Sequence, residues 1–141
     1  MLVGRRTVTV EWGDCDPAGI VYFPRYFEWF DASLFALFEQ AGLPKAEMLA
    51  RYDIAGTPLV QARAQFITPS TFGDRVLVET RIVQWRRSSF DVHHRLFRGS
   101  EVAVEGFETR VWAVRDALGR LKGSPVPAEV VALFAGEKER A

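Results

Sequence analysis

Pro24-Arg25-Tyr26-Phe27-Glu28-Trp29-Phe30-Asp31-Ala32-Ser33-Leu34-Phe35-Ala36-Leu37-Phe38-Glu39-Gln40-Ala41-Gly42-Leu43-Pro44 is the stretch on which the architecture turns. Proline can open a helix without losing a backbone donor, apolar residues recur at 27, 30, 34, 37, 38 and 41, and Gly42 with Pro44 stops the run. The spacing predicts one helix over roughly 24 to 41. Trp29 and Phe35 lie off that stripe, so the helix is apolar around more than half its circumference and calls for burial on several sides.

The flanking sequence says what buries it. Upstream, Val8, Val10 and Trp12 alternate with Thr7, Thr9 and Glu11, the pattern of a strand over Thr7 to Trp12. Downstream, the chain reads as strands: one from Leu59 onward through Phe66, a long one from Arg75 to Trp85, one carrying Phe90, Val92, His94 and Leu96, and one from Val102 to Val114 with Gly106 as a candidate bulge. Turn signals at Thr71-Phe72-Gly73-Asp74, Arg98-Gly99-Ser100 and Asp116 to Arg120 separate them, and Pro127 to Phe134 reads as a short closing helix before a charged end from Gly136 to Ala141. A strand, one long helix, then a run of strands gives an α+β class, an antiparallel sheet curled around the helix. A doubly wound sheet would need alternating helices.

The chain has 141 residues, 18 basic and 18 acidic side chains, 48% hydrophobic residues and one cysteine, the profile of a single globular domain over 1–141 without a disulfide framework. Zero net charge without a polybasic tail argues against nucleic acid as a partner. The apolar helix is interrupted by charged residues and no signal core is evident, so neither a membrane span nor export is expected, and the cytoplasm is the expected location. His93 and His94 are adjacent and face opposite sides of a strand, which leaves too few convergent ligands for a metal site.

Three features carry chemistry. Asp14-Cys15-Asp16-Pro17-Ala18-Gly19 lies between a strand end and a helix start, with Asp, Pro and Gly at the first, second and fourth positions of a type I turn. Asp16 either opens that turn and accepts backbone hydrogen bonds, or attacks a carbonyl polarised by the unpaired donors at the helix start, or activates water to do so. Gly19 allows close approach of backbone or ligand, and Cys15 reads as a small buried residue. Asp31 sits on the apolar stripe and needs either an arginine or backbone partner, or a ligand hydroxyl. Finally, six arginines between residues 75 and 98 outnumber Glu79 and Asp91, and Arg86-Arg87 mark either a solvated hairpin or a grip for nucleotide phosphates.

The run Gly13-Asp14-Cys15-Asp16-Pro17-Ala18-Gly19-Ile20-Val21-Tyr22-Phe23-Pro24 closely resembles the active-site motif of the hot-dog-fold 4-hydroxybenzoyl-CoA thioesterases. The likeness continues through Asp31, Gly56-Thr57-Pro58-Leu59-Val60, Trp85-Arg86-Arg87-Ser88-Ser89-Phe90 and Val126-Pro127-Ala128. It implies hydrolysis of an aromatic acyl-CoA without metal or redox cofactor, coenzyme A being part of the substrate. Asp16 is then nucleophile or general base, the Phe23 backbone N–H holds the carbonyl oxygen, and Asp31 meets the acyl hydroxyl, with Gly19 and Tyr22 nearby. Arg86, Arg87 and Lys122 meet the CoA phosphates. The resemblance also implies dimers paired into tetramers. Ser88 stands where a third basic residue can occur, Tyr22 replaces a Trp, and Phe27 replaces a polar residue, so short or medium aliphatic acyl-CoA, acyl-carrier-protein substrates and a non-catalytic acyl-CoA-binding role remain alternatives.

Overall fold

The computed structural model describes residues 1–136. Five strands form one fully antiparallel sheet: β1 Gly4–Thr9, β2 Leu59–Phe66, β3 Arg75–Trp85, β4 Ser89–Arg98 and β5 Glu101–Val111, in the spatial order β1-β3-β4-β5-β2. Helix α1, Pro24–Gln40, lies against one face of this sheet. Helix α2, Lys45–Tyr52, follows it, β6 Ala113–Arg115 pairs with β7 Leu121–Gly123, and α3, Ala128–Leu133, closes the described chain. The expected charged end beyond Gly136 lies outside the described residues.

The order of elements and the β3-β4-β5 meander agree with the sequence expectation, and the differences have local causes. The first strand is Gly4–Thr9 rather than Thr7 to Trp12, because the chain leaves the sheet in a 3-10 turn over Trp12–Asp14. Val8 and Val10 keep their buried places, whereas Trp12 is 77% exposed and meets Phe72 edge-on. Helix α2 has no counterpart in the periodicity reading; its eight residues bury only Met48.

Gly106 is not a bulge. It pairs in register with His94 on one side and Ala64 on the other, and the β4–β5 register shift falls between Leu96 and Phe97. Its role is steric: a Cβ at this position would lie 2.5 Å from the Phe30 ring, so the missing side chain is what lets α1 settle onto the sheet.

Two apolar clusters flank that contact. Phe30, Trp29 and Tyr26 pack with Val8, Val76, Val78 and Leu96 at the helix start, and Leu34, Leu37 and Phe38 pack with Ile82, Phe90, Val92 and Trp112 further along. The stripe 27-31-35 is left at the side of this interface. Phe27 and Phe35 are therefore only partly buried, although Phe27 falls on the apolar stripe.

Candidate active site

The loop ahead of α1 is tied down by its own backbone. The Gly19 N–H donates to the Asp16 carbonyl at 2.9 Å and the Asp16 N–H to Ile20 at 2.9 Å, with Gly19 at φ +80°, a conformation that favours glycine. The Asp16 side chain joins the turn, since Ala18 N–H donates to its Oδ1 at 2.8 Å, and the residue keeps partial exposure. The turn role and the chemical role are thus compatible: one oxygen aims the carboxylate, and the other is not used by the turn.

Asp14 anchors the same loop to the helix. Its Oδ2 accepts the Glu11 N–H at 2.8 Å, its carbonyl accepts the Tyr22 N–H at 2.8 Å, and Arg25 of α1 lies 3.6 Å from its Oδ1. The Cys15 Sγ points at the Glu11 carbonyl, 3.8 Å away, and the residue packs against the apolar cluster at the helix start.

Phe23 immediately precedes α1, and Pro24 supplies no donor. The Phe23 N–H has no hydrogen-bond partner among the described residues, whereas the Val21 and Tyr22 N–H groups are both engaged. An unpaired donor at a helix start is a place where a developing oxyanion is stabilised. Tyr22 and Phe23 themselves are half exposed and touch edge-on at 5.7 Å between ring centroids.

From this end a groove runs along α1. A cavity of 360 Å³ is bounded by Pro24, Phe27, Glu28, Asp31, Leu59 and Arg110 among others, and a second, of 290 Å³, continues from Asp31 and Arg110 past Phe35 and Thr57 to Lys45. Asp31 belongs to both. Asp16 lines neither in the single chain.

Asp31 has the arginine partner that its place on the apolar stripe calls for, and it also borders the groove. Its Oδ1 accepts from Arg110 at 2.7 Å, so an arginine satisfies it, yet its side chain is 52% exposed and faces the groove. Sequence reasoning missed what stands behind it. Arg110 also donates to Glu108 Oε1 at 2.9 Å and to the Thr57 carbonyl at 3.2 Å; Glu108 Oε2 lies 2.6 Å from His94 Nε2, and His94 Nδ1 lies 2.8 Å from Thr80 Oγ1. A carboxylate only accepts, so Nε2 carries the proton, and a neutral ring leaves Nδ1 to accept from the Thr80 hydroxyl. The signal was present: His94 alternates with Phe90, Val92 and Leu96 on an apolar face, where an imidazole needs partners.

Burial pushes the His94 imidazole below its ordinary value of 6.5 against the opposing pull of Glu108. Burial would raise Glu108, but the hydrogen bond from His94 and the Arg110 guanidinium outweigh it and hold the carboxyl below its ordinary 4.5. Both groups lose stability on acidification. An unfolded chain takes up the His94 proton as pH falls through 6.5, while the folded chain resists it, so stability drops by up to about 1.4 kcal/mol per pH unit in that window. Thermal melts between pH 7.5 and 5 should show this slope, and His94→Gln should flatten it; equal slopes in the two proteins would contradict the assignment.

The basic residues gather at the far end of the meander. Arg86 is held by Asp91 through two hydrogen bonds, at 2.9 and 2.5 Å, while Arg87 and Lys122 are exposed. The Arg87 carbonyl accepts the Val126 N–H at 2.8 Å, and Gly123 of β7 packs near Ser88, which brings the Lys122 strand beside the Arg86–Arg87 turn. His93 and His94 do face opposite sides, His93 bonding Glu105 at 2.7 Å. No helix among the described residues is long and apolar enough to cross a membrane.

Known proteins are similar to this chain in sequence and fold. The 4-hydroxybenzoyl-CoA thioesterase of Pseudomonas sp. (strain CBS-3) is 38% identical over 130 residues, 88% of this chain and 92% of that protein. A crystal structure of a 4-hydroxybenzoyl-CoA thioesterase carrying an aspartate-to-asparagine change, complexed with 4-hydroxybenzoyl-CoA, superposes with a TM-score of 0.88 at 34% identity, covering 94% of this chain and 99% of that one. A gentisyl-coenzyme A thioesterase superposes with a TM-score of 0.80 at 33% identity, covering 94% and 99% of the respective chains. The thioesterase-like superfamily profile matches residues 10–134, a range that takes in the turn, the helix and strands β2 to β5, and this hot-dog-fold chain belongs to that superfamily.

Proposed function

We infer that this protein hydrolyses an aromatic acyl-CoA thioester, 4-hydroxybenzoyl-CoA or a close analogue, to the free acid and coenzyme A. The observation that carries the reading is the partly exposed Asp16 carboxylate, fixed by its turn beside a helix start whose Phe23 N–H is unpaired, in a chain 38% identical to a 4-hydroxybenzoyl-CoA thioesterase. In this reading the Phe23 N–H holds the thioester oxygen. Asp16 either adds to the acyl carbon, expelling the CoA thiolate and leaving a mixed anhydride that water cleaves, or takes a proton from a water that adds in its place. In both routes the C–S bond breaks, a C–O bond forms and the thiolate receives a proton.

The groove supports an aromatic acyl group. Asp31 lies eight positions after Phe23, about 12 Å along the helix axis, comparable to a para-hydroxybenzoyl group with a hydrogen bond at each end. Gly19 and Tyr22 border the reacting end, and Asp31 offers an acceptor at the other. Purified protein should release thiol from 4-hydroxybenzoyl-CoA faster than from aliphatic acyl-CoA; the reverse order would favour an aliphatic substrate, and binding without release a non-catalytic role.

Arg86, Arg87 and Lys122 are proposed to grip the nucleotide phosphates. Because Asp91 already neutralises Arg86, Arg87→Ala should raise KM more than Arg86→Ala. The double variant should raise KM for the CoA ester about tenfold or more, with little effect on a truncated thioester lacking the nucleotide. Equal effects on both substrates would remove the phosphate role.

A second copy of the chain belongs to the proposal. Strand β2 is an unpaired edge with Leu59, Val60 and Phe66 exposed, and exposed Phe72 and Trp12 stand near the Asp16 loop. Light scattering should give a dimer or a dimer of dimers; a monomer with full activity would exclude a shared site.

A further inference from the structure

The row of buried polar side chains behind Asp31 plays no part in the steps above. Thr80, His94, Glu108 and Arg110 are all buried, and each is bonded to the next in the row or through it. Replacing a buried ionic group by apolar side chains is often neutral or stabilising, so stability alone does not account for this one. Its position does. It meets the groove at Asp31, with the Arg110 side chain 6% exposed and that of Asp31 52% exposed.

Arg110 is a shared cation. Its Nη2 lies 2.7 Å from Asp31 Oδ1 and 2.9 Å from Glu108 Oε1, and its Nη1 donates to the Thr57 carbonyl at 3.2 Å. Three anchors from α1, β5 and the segment ahead of β2 leave the guanidinium no freedom to turn. Arg110 Nε and Thr57 Oγ1 are buried without a partner among the described residues, and both residues line the cavity that Asp31 enters. Phe30 stacks on His94 at 4.6 Å between centroids and holds the inner end of the row in place.

Building on the reading of Asp31 as acceptor of the acyl hydroxyl, we propose that Glu108 and Arg110, backed by His94, are positioning residues that set the preference for a hydroxylated aromatic acyl group. Arg110 holds Asp31 by Oδ1 alone, which leaves Oδ2 as the acceptor. Glu108 draws off part of the guanidinium; without that charge, Arg110 turns its second N–H to Asp31 and closes both oxygens in a fork. The acceptor for the hydroxyl is then lost.

The test compares kcat/KM for 4-hydroxybenzoyl-CoA and benzoyl-CoA in the wild type, Glu108→Gln, Arg110→Lys and Asp31→Ala, with melting temperatures for each. Glu108→Gln should lower the ratio of the two values about tenfold, the loss falling mainly on the hydroxylated substrate. Arg110→Lys keeps the charge but is shorter and lacks the rigid guanidinium whose second nitrogen donates to the Thr57 carbonyl, so it no longer fixes Asp31 and should lower the ratio as well, and it decides the matter if Glu108→Gln does not fold. A ratio lost in Asp31→Ala but kept in both other variants overturns the positioning role. So does an equal fall on the two substrates in the Glu108 and Arg110 variants. If Asp31→Ala itself keeps the ratio, the hydroxyl is not read at Asp31, and the underlying reading fails with it.

Discussion

Asp16→Asn should lower turnover of 4-hydroxybenzoyl-CoA by about a thousandfold or more, because an amide can neither add to the acyl carbon nor take a proton from water. The substitution leaves the turn intact. Asparagine Oδ1 still accepts the Ala18 N–H that Asp16 Oδ1 accepts at 2.8 Å, and the Gly19 to Asp16 backbone bond does not involve the side chain. Substrate affinity and melting temperature should therefore stay near wild type while single-turnover thiol release collapses. Wild-type turnover in the asparagine protein would show that Asp16 serves the turn alone.

Arg110→Ala should have the largest effect on stability, about 3 to 5 kcal/mol in urea unfolding, since removing one partner of a buried ionic group strands the other. Glu108 would keep only His94, a neutral donor, as its partner in a core where both side chains are almost fully buried. The combined Glu108→Leu, Arg110→Met variant should recover much of that loss, as apolar side chains fill the space without an unpaired charge. A single Arg110→Ala variant within about 1 kcal/mol of wild type would mean that water reaches Glu108 and that the row is not the sealed unit its burial indicates.

Much of the site was legible because its signals are local. Pro24, the apolar spacing that follows and Gly42 define α1, and Asp16 with Gly19 defines the turn, since both depend on backbone chemistry within a few residues. The trimming of β1 to Gly4–Thr9 was not legible: Trp12 continues the alternation in sequence, but a 3-10 turn carries it out of the sheet. Likewise β2 alternates as though one face were covered, yet as an edge strand it is exposed along nearly its whole length.

Sequence by itself determined the element order, the helix that needs covering, and the carboxylate placed ahead of its first turn, because each follows from periodicity or turn chemistry over a short span. Tertiary structure alone decided which face of β5 meets the helix. Val104, Gly106, Glu108, Arg110 and Trp112 alternate with Ala103, Glu105, Phe107, Thr109 and Val111, and both sets mix polar with apolar residues, so no pattern along the strand chooses between them. The choice comes from Phe30 requiring Gly106 beneath it, and that contact turns Glu108 and Arg110 inward toward His94 and Asp31, across separations no local rule spans.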